Sequence, residues 1–532
     1  MKLQPHKVSI VLTHSEHAAY GEPALRRSIE SALAQDYRHG EVEIILADGR
    51  GPNADLSGLF TDAADAKRVR HLPDTYASRA AMLNKAIAAA TGDYVLLIDD
   101  SHGPVDLRRS AVSTLMLAAI RNPKAGMVYC DYELNVSGAL RDIHLLDWHP
   151  GRLRDSVDFG PVTFFSVAML KRVGPLSESY RAADMYDLRL RVSEQGECVH
   201  LANRFSGSLY TVEAPAKKHD VFDYLLASKD AQKEMEHAVT EHLKRTGAYL
   251  EPGAHTKQVE YSAAEQKAFE KCVASVVIPC FNRPEFIGRA IESVQAQTVP
   301  NVEVIIVVNG GEADPTVAAV REYMEGGAKY RADTPSVRLI IVDINNLGLC
   351  LNSGIAAANG KYYVQLDSDD RLKPDAVEKL MAVFDSDPTI GMVVGSYEVW
   401  TLDEKTGALA RNEQIPVVTH DEWTADNGRN NLLRINGAGA PRAAHIKAIA
   451  DAGWFGVNDD PYCRNYGEDY DLVLRVSERY TIGRVWDPIY EVIRHSGGTD
   501  HSIDQVTIDR NDNAKDHMRL NALRRRKALN DA

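Results

Sequence analysis

No two cysteines in this sequence are spaced as CxxC. The six present, at 130, 198, 272, 280, 350 and 463, are scattered along 532 residues, so neither a zinc knuckle nor a disulfide framework is indicated. They read as thiols of a reduced compartment, the cytoplasm. Long apolar runs are missing too. The longest, such as 115–120 and 304–308, fall far short of the roughly 20 residues that cross a bilayer as a helix. The opening MKLQPHKVSIVLT lacks a signal-peptide core and runs straight into a strand pattern. Basic charge is in deficit. Sixty-one Lys and Arg against 75 Asp and Glu leave a net charge of −14, which argues against general nucleic-acid binding. What remains is a globular composition, 44% apolar and 26% charged, with length for about three domains.

Short β-rich runs alternate with helical patterns. Residues 8–12 (VSIVL), 42–47 (VEIILA) and 94–98 (YVLLI) read as strands, and 23–35 and 77–90 as helices between them. This alternation argues for βαβ units and a mostly parallel sheet. The order then returns. SIESALAQ (28–35), VEIILA (42–47) and LNKAIAAATGDYVLLIDDSH (83–102) are matched by AIESVQAQ (290–297), VEVIIVV (302–308) and LNSGIAAANGKYYVQLDSDD (351–370). YDLRLRVSE (186–194) is matched by YDLVLRVSE (470–478). A period this long means two domains of one fold rather than a solenoid. The expected division is a first domain over 1–214, a helical connector over 215–272, a second domain over 273–500 and a helical tail over 501–532. The tail, DHMRLNALRRRKALNDA (516–532), admits two readings. Met518, Leu520 and Leu523 pack on the body with the arginines solvated, or the basic face touches anionic membrane at the periphery.

The stretch 360–372, GKYYVQLDSDDRL, carries the chemistry. Asp367, Asp369 and Asp370 crowd the end of a buried strand and repel one another unless a cation neutralises them. Mg²⁺ or Mn²⁺, hard ions with oxygen ligands, suit such a set. A solvated acidic turn leading into the helix after Lys373-Pro374-Asp375 is the structural alternative.

The second copy resembles the family 2 glycosyltransferases, in SVVIPCFNRPEFIGRAIESVQAQ (275–297), NNLGLCLNSGIAAANGKYYVQLDSDD (345–370), GEDYDLVLRV (467–476) and RHSGGT (494–499). The first copy resembles them over its first 130 residues and more loosely after that. The resemblance implies two Rossmann-like GT-A nucleotide-sugar-binding α/β domains in tandem. It also implies a metal-dependent inverting transfer from a nucleotide sugar, a UDP-sugar first, to a glycan, lipid-linked or protein acceptor. The processive synthases' QxxRW-like motif and membrane helices are missing, which points to a non-processive or peripheral enzyme, and a homo-oligomer stays open.

By the same resemblance, Asp367 lies near the ribose beside Ser368, Asp369 binds the metal with Asp370 supporting or sharing it, and His495 completes the ion site. Asp469 is the general base and Glu468 orients the acceptor, with Asp471 the nearest rival as base. Pro279, Phe281, Asn282 and Arg283 meet the nucleotide, with Phe281 as a stacking face. Asn309 stands where the family has Asp, which puts the uridine preference in doubt. Asn346, Gly348 and Asn352 flank the diphosphate, and 436–441 (NGAGAP) offers close backbone approach. In the first copy Asp99, Asp100, Ser101 and His102 fall on 367–370, and Asp184-Met185 on Glu468-Asp469. Ser15 and His17 fall on Phe281 and Arg283, and near Pro215 only His219 approaches the place of His495. A thioether accepts no proton, so the first copy reads as degenerate. The alternatives are a bifunctional glycan polymerase with both domains active, and a sugar- or nucleotide-binding protein with neither. Nucleotidyl transfer fits the GED-YDL and HSGGT elements poorly.

Overall fold

The computed structural model describes residues 5–14, 21–38, 40–56, 59–60, 63–99, 103–203, 207–213, 228–419, 427–435, 439–457, 466–496 and 504–532. The chain divides into two compact units, Met1–Thr246 and Gly247–Ala532. The expected connector is therefore split. Its helix Lys229–Arg245 belongs to the first unit, where it packs on the helix Asp184–Gln195, and the segment after Gly247 belongs to the second.

The first unit is built on a seven-stranded sheet. From edge to edge it runs Glu197–Leu201, Ala125–Cys130, Val162–Ser166, Tyr94–Ile98, Val8–His14, Val42–Asp48 and Val69–Pro73. Only Val162–Ser166 runs against its neighbours. A small four-stranded sheet lies beside it. The second unit repeats this order: Thr481–Arg494, Ile390–Leu402, Arg442–His445, Tyr362–Gln365, Ala274–Cys280, Val302–Val308 and Val337–Ile341, with Arg442–His445 reversed. The sheet is extended by Arg371–Leu372 and by Leu409–Arg411. Central strands such as Val8–His14 and Val302–Val308 are buried along their whole length. That is what parallel strands covered on both faces require, and why they read as unbroken apolar runs.

The repeated polar letters prove to be fold-making contacts. Gln35 Oε1 accepts from Val112 N–H at 3.1 Å, and Gln297 Oε1 from Val377 N–H at 3.0 Å. Buried Ser9 donates to Glu43 and Ser275 to Glu303, while Gly92 and Gly360 donate their N–H to those serines. Burial opposes ionisation of Glu43 and Glu303, yet these hydrogen bonds outweigh it and hold both below the usual range. Arg191 pairs with Asp187 at 2.8 Å and Arg475 with Asp471 at 2.7 Å, which accounts for the repeated YDLxLRVSE. It also ties Asp471 to its own helix.

The C-terminal segment forms one helix, Gln505–Asn530. Met518 and Leu523 are buried as expected, and Leu520 is half-buried. The arginines are not all solvated. Arg519 and Arg526 are wholly buried, Arg519 paired with Asp516 and donating to Ile435 O, Arg526 donating to Arg429 O at 2.6 Å. Helical periodicity marks which residues share a face, but carbonyls and carboxylates of distant segments decide whether an arginine on that face is buried. Among the described residues no helix is long and apolar enough to cross a membrane.

Candidate functional site

The strand Tyr362–Gln365 delivers its chain end to the carboxyl edge of the second sheet, the edge where parallel α/β sheets bind ligands. The turn that follows closes with Asp370 N–H on Asp367 O, and Asp367 N–H donates to the Tyr490 hydroxyl at 3.1 Å. Asp367 Oδ1 accepts from Gln365 Nε2 at 3.1 Å. Burial pushes the Asp367 carboxyl above its ordinary range, with Arg442 opposing and Asp369 adding. Burial, then Asp367 and Asp369, push Asp370 well above. The crowding inferred from the sequence is thus present, and a positive charge delivered to this turn would relieve it.

His495 Nε2 stands 3.1 Å from Asp369 Oδ2, and its ring stacks on Phe286 at 4.3 Å, which fixes the imidazole. Asp370 turns elsewhere, its Oδ1 accepting from Ile493 N–H at 2.8 Å. Among the described residues no three His, Cys, Asp or Glu side chains form a ready-made metal cage. Asp369 and His495 nevertheless suit an ion of the Mg²⁺ type, which binds through one or two protein groups and takes its remaining ligands from phosphates and water. Asp370 fits beside them as a supporting charge tied to backbone.

Gly467 precedes the helix Glu468–Ser477 with φ +83°, a conformation that favours glycine, and a Cβ there would meet Met518 Cε at 2.6 Å. The C-terminal helix therefore abuts the residue that aims Glu468 and Asp469. Its Lys515 lies 4.7 Å from the Tyr466 ring. Asp469 Oδ1 accepts from Tyr470 N–H at 2.7 Å, and its Oδ2 lies 3.2 Å from Arg442 Nη1. Arg442, buried on the reversed strand, donates its Nε–H to Gln365 Oε1 at 2.9 Å. Glu468 has a buried Oε2 without a hydrogen-bond partner among the described residues. Burial, with Asp469 beside it, raises its carboxyl to about 7. Sequence reasoning missed Arg442 and Gln365. The one signal was that Gln365 is a polar residue inside an apolar strand.

Of the residues expected to meet the nucleotide, Phe281 is 49% exposed, offering a face, while Pro279 is buried in its strand. Asn282 adopts φ +51° and donates its N–H to Asp314 Oδ2, and Arg283 N–H donates to Thr316 Oγ1, so the loop is pinned to the start of the helix Pro315–Arg321. Asn309 is buried, and its Oδ1 has no hydrogen-bond partner among the described residues. Ser368 is buried within the acidic turn. Three expected diphosphate neighbours have another immediate task. Asn346 caps its helix through Leu349 N–H and donates to Val457 O at 3.2 Å. Asn352 exchanges two hydrogen bonds with the Phe455 backbone at 2.9 and 3.0 Å. Gly348 lies so close that a Cβ would meet Gly456 O at 1.8 Å. Together they hold 455–457 in place. Of NGAGAP, 436–438 lie outside the described residues.

In the first unit Arg79, at the start of its helix, pairs with Asp99 and stands 3.2 Å from Asp184 Oδ1. A resident guanidinium thus joins the positions that match Asp367 and Glu468. Met185 packs against the apolar core. Ser15, His17, Asp100, Ser101, His102, Pro215 and His219 lie outside the described residues.

Residues 9–102 and 275–437 match the family model described as glycosyl transferase family 2, two matched segments in tandem. It is 25% identical over 46% of its length to a chondroitin synthase of Escherichia coli, and 34% identical over 39% to one of Pasteurella multocida. It covers 32% and 19% of those proteins, a third of their length or less. S. aureus TarS 1-349, solved with UDP-GlcNAc, aligns at 16% identity over 44% of this chain and 61% of that one, with a TM-score of 0.33.

Proposed function

We propose that the chain is a metal-dependent, inverting glycosyltransferase whose active site lies at the carboxyl edge of the second unit's sheet, moving a sugar from a nucleotide diphosphate to an acceptor hydroxyl. The observation that carries this reading is the joining of Asp469, through Arg442 and Gln365, to Asp367 in the acidic turn that also bears Asp369. Family membership of residues 275–437 supports the same reading.

Asp469 takes the proton of the acceptor hydroxyl as that oxygen attacks the anomeric carbon. The bond from that carbon to the diphosphate breaks and leaves its electron pair on the phosphate oxygen. Attack from the face opposite the leaving group inverts the centre. The base must hold a fixed place to do this, and Asp469 is held by Tyr470 N–H on one oxygen and Arg442 on the other. Glu468, with its carboxyl at about 7, is both donor and acceptor near neutrality and suits orientation of an acceptor hydroxyl. A divalent ion held by Asp369 and His495, supported by Asp370, would supply Lewis-acid stabilisation of the departing diphosphate.

Asp367 suits a ribose hydroxyl and exposed Phe281 a base-stacking face. The orphan Oδ1 of Asn309 suits a nucleobase N–H donor, and its uncharged amide gives less preference for uracil than a carboxylate. The names of the relatives, chondroitin synthases, support a glycan acceptor over lipid-linked or protein ones. The first unit then serves as scaffold or acceptor holder.

The test is a thermal-shift screen of nucleotide sugars, including UDP-GlcNAc and GDP-mannose, with and without Mn²⁺, followed by donor hydrolysis. Metal-dependent stabilisation by a donor that is then hydrolysed is expected. A folded protein that neither binds nor hydrolyses any donor rejects the reading.

A further inference from the structure

The two units amount to an internal comparison of which polar contacts a single fold keeps when its chemistry changes. The kept ones are Gln35 and Gln297 on the neighbouring helix start, Ser9–Glu43 and Ser275–Glu303, and the Asp–Arg pairs of the repeated helix. They serve the fold.

A second set is present in the second unit alone. Tyr362 pairs with His445 there, as Tyr94 pairs with Ser166 in the first unit. Continuing both ladders puts Leu97 at the position of Gln365 and Thr163 at that of Arg442. The position of Asp469 is Met185. Base, guanidinium and amide have been exchanged as a set, and the first sheet keeps its order without them.

We propose that Arg442 and Gln365 are positioning residues of the transfer reaction, forming a rail that fixes the proton-accepting Asp469 relative to Asp367 on the donor side. The inference rests on the reading of Asp469 as base. Gln365 Oε1 receives two donors, the Tyr363 hydroxyl at 2.8 Å and Arg442 Nε–H at 2.9 Å, so its other amide atom must be the NH₂ facing Asp367 at 3.1 Å. The amide can face only one way. Arg442 is planar, so directing Nε–H at Gln365 also fixes the direction of Nη1, 3.2 Å from Asp469. Both rail residues, Gln365 and Arg442, are buried together with Tyr363, where water does not compete for these bonds. A lysine carries the same charge without the fork. The set therefore transmits position from one carboxylate to the other, a property the fold itself does not need.

The experiment compares Gln365→Leu, which restores the residue that folds at this register in the first unit, with Arg442→Lys. Turnover of the donor hydrolysed by wild type, donor affinity with Mn²⁺, and melting temperature are measured together. Loss of positioning predicts kcat falling about 10- to 100-fold in both variants, donor Kd moving less than about threefold, and melting within a few degrees of wild type. Turnover within about threefold of wild type overturns the rail, and so does a fall in kcat matched by lost donor affinity and melting temperature, the mark of a merely structural role. Asp469→Asn separates the two readings. If it keeps turnover, the base assignment fails. If it is inactive while Gln365→Leu and Arg442→Lys are not, the rail alone fails.

Discussion

Arg79 Nη1 lies 3.2 Å from Asp184 Oδ1 in the first unit, and the other arm of the same guanidinium pairs with Asp99. Asp184 is wholly buried, and burial raises its carboxyl against the pull of Arg79. Removing one partner of such a pair costs about 3–5 kcal/mol, since the other is left charged or must bind a proton. Because Arg79 is a third exposed, the lower end applies. Arg79→Met is expected to lower urea stability of the first unit by about 3 kcal/mol. Met185→Ala is expected to leave transfer within a few-fold of wild type. A large loss specific to one transfer step would instead mean two working sites.

Asp469→Asn is expected to reduce transfer by at least about 100-fold while donor affinity changes little, the signature of an interaction made in the transition state. Glu468→Gln keeps the hydrogen-bonding shape and removes the proton exchange. Its expected effect is on acceptor KM more than on donor binding. Steady-state kinetics with each substrate varied distinguishes the two.

Asp369→Asn and His495→Ala are each expected to abolish the extra thermal stability that Mn²⁺ confers in the presence of UDP. Asp370→Asn should weaken it by about tenfold in metal affinity, as a supporting residue would. Equal losses from all three would make Asp370 a direct ligand instead.

His200 in the first unit sits between two carboxylates, Nε2 to Asp131 at 2.7 Å and Nδ1 to Asp147 at 2.7 Å. Burial disfavours its charge, but the two hydrogen bonds win and its value is raised above 6.5. The folded state therefore binds this proton more tightly than the unfolded chain does. The stabilisation is full below pH 6.5 and is lost as pH rises through the folded value. Melting temperature measured across this range should decline for wild type and decline less for His200→Gln. Identical slopes would refute the contribution.

Much of the fold was legible because its signals are local. Buried parallel strands read as β-rich runs, and the letters repeated between the copies, Gln35 and Gln297 or Asp187 and Asp471, are those whose side chains close contacts within one unit. The acidic turn was legible for the same reason, since three carboxylates after one strand need no partner to be noticed. The resemblance puts Asn346 and Asn352 beside the diphosphate, and the structure adds that both also hydrogen-bond the backbone of 455–457. Nothing near either asparagine in sequence announces that segment.

Residue order alone marks two copies of one α/β fold, and shows that the second ends its strand in the fuller carboxylate set. Composition, period and register patterns are properties of the chain read in order. Folding alone brings Arg442 between Asp469 and Gln365, Arg79 between Asp99 and Asp184 in the first unit, and Arg519 and Arg526 into the interior rather than solvent. The physical reason is common to all three. A guanidinium is tolerated in the interior only where acceptors from several segments meet it, and that meeting exists only once the chain has folded.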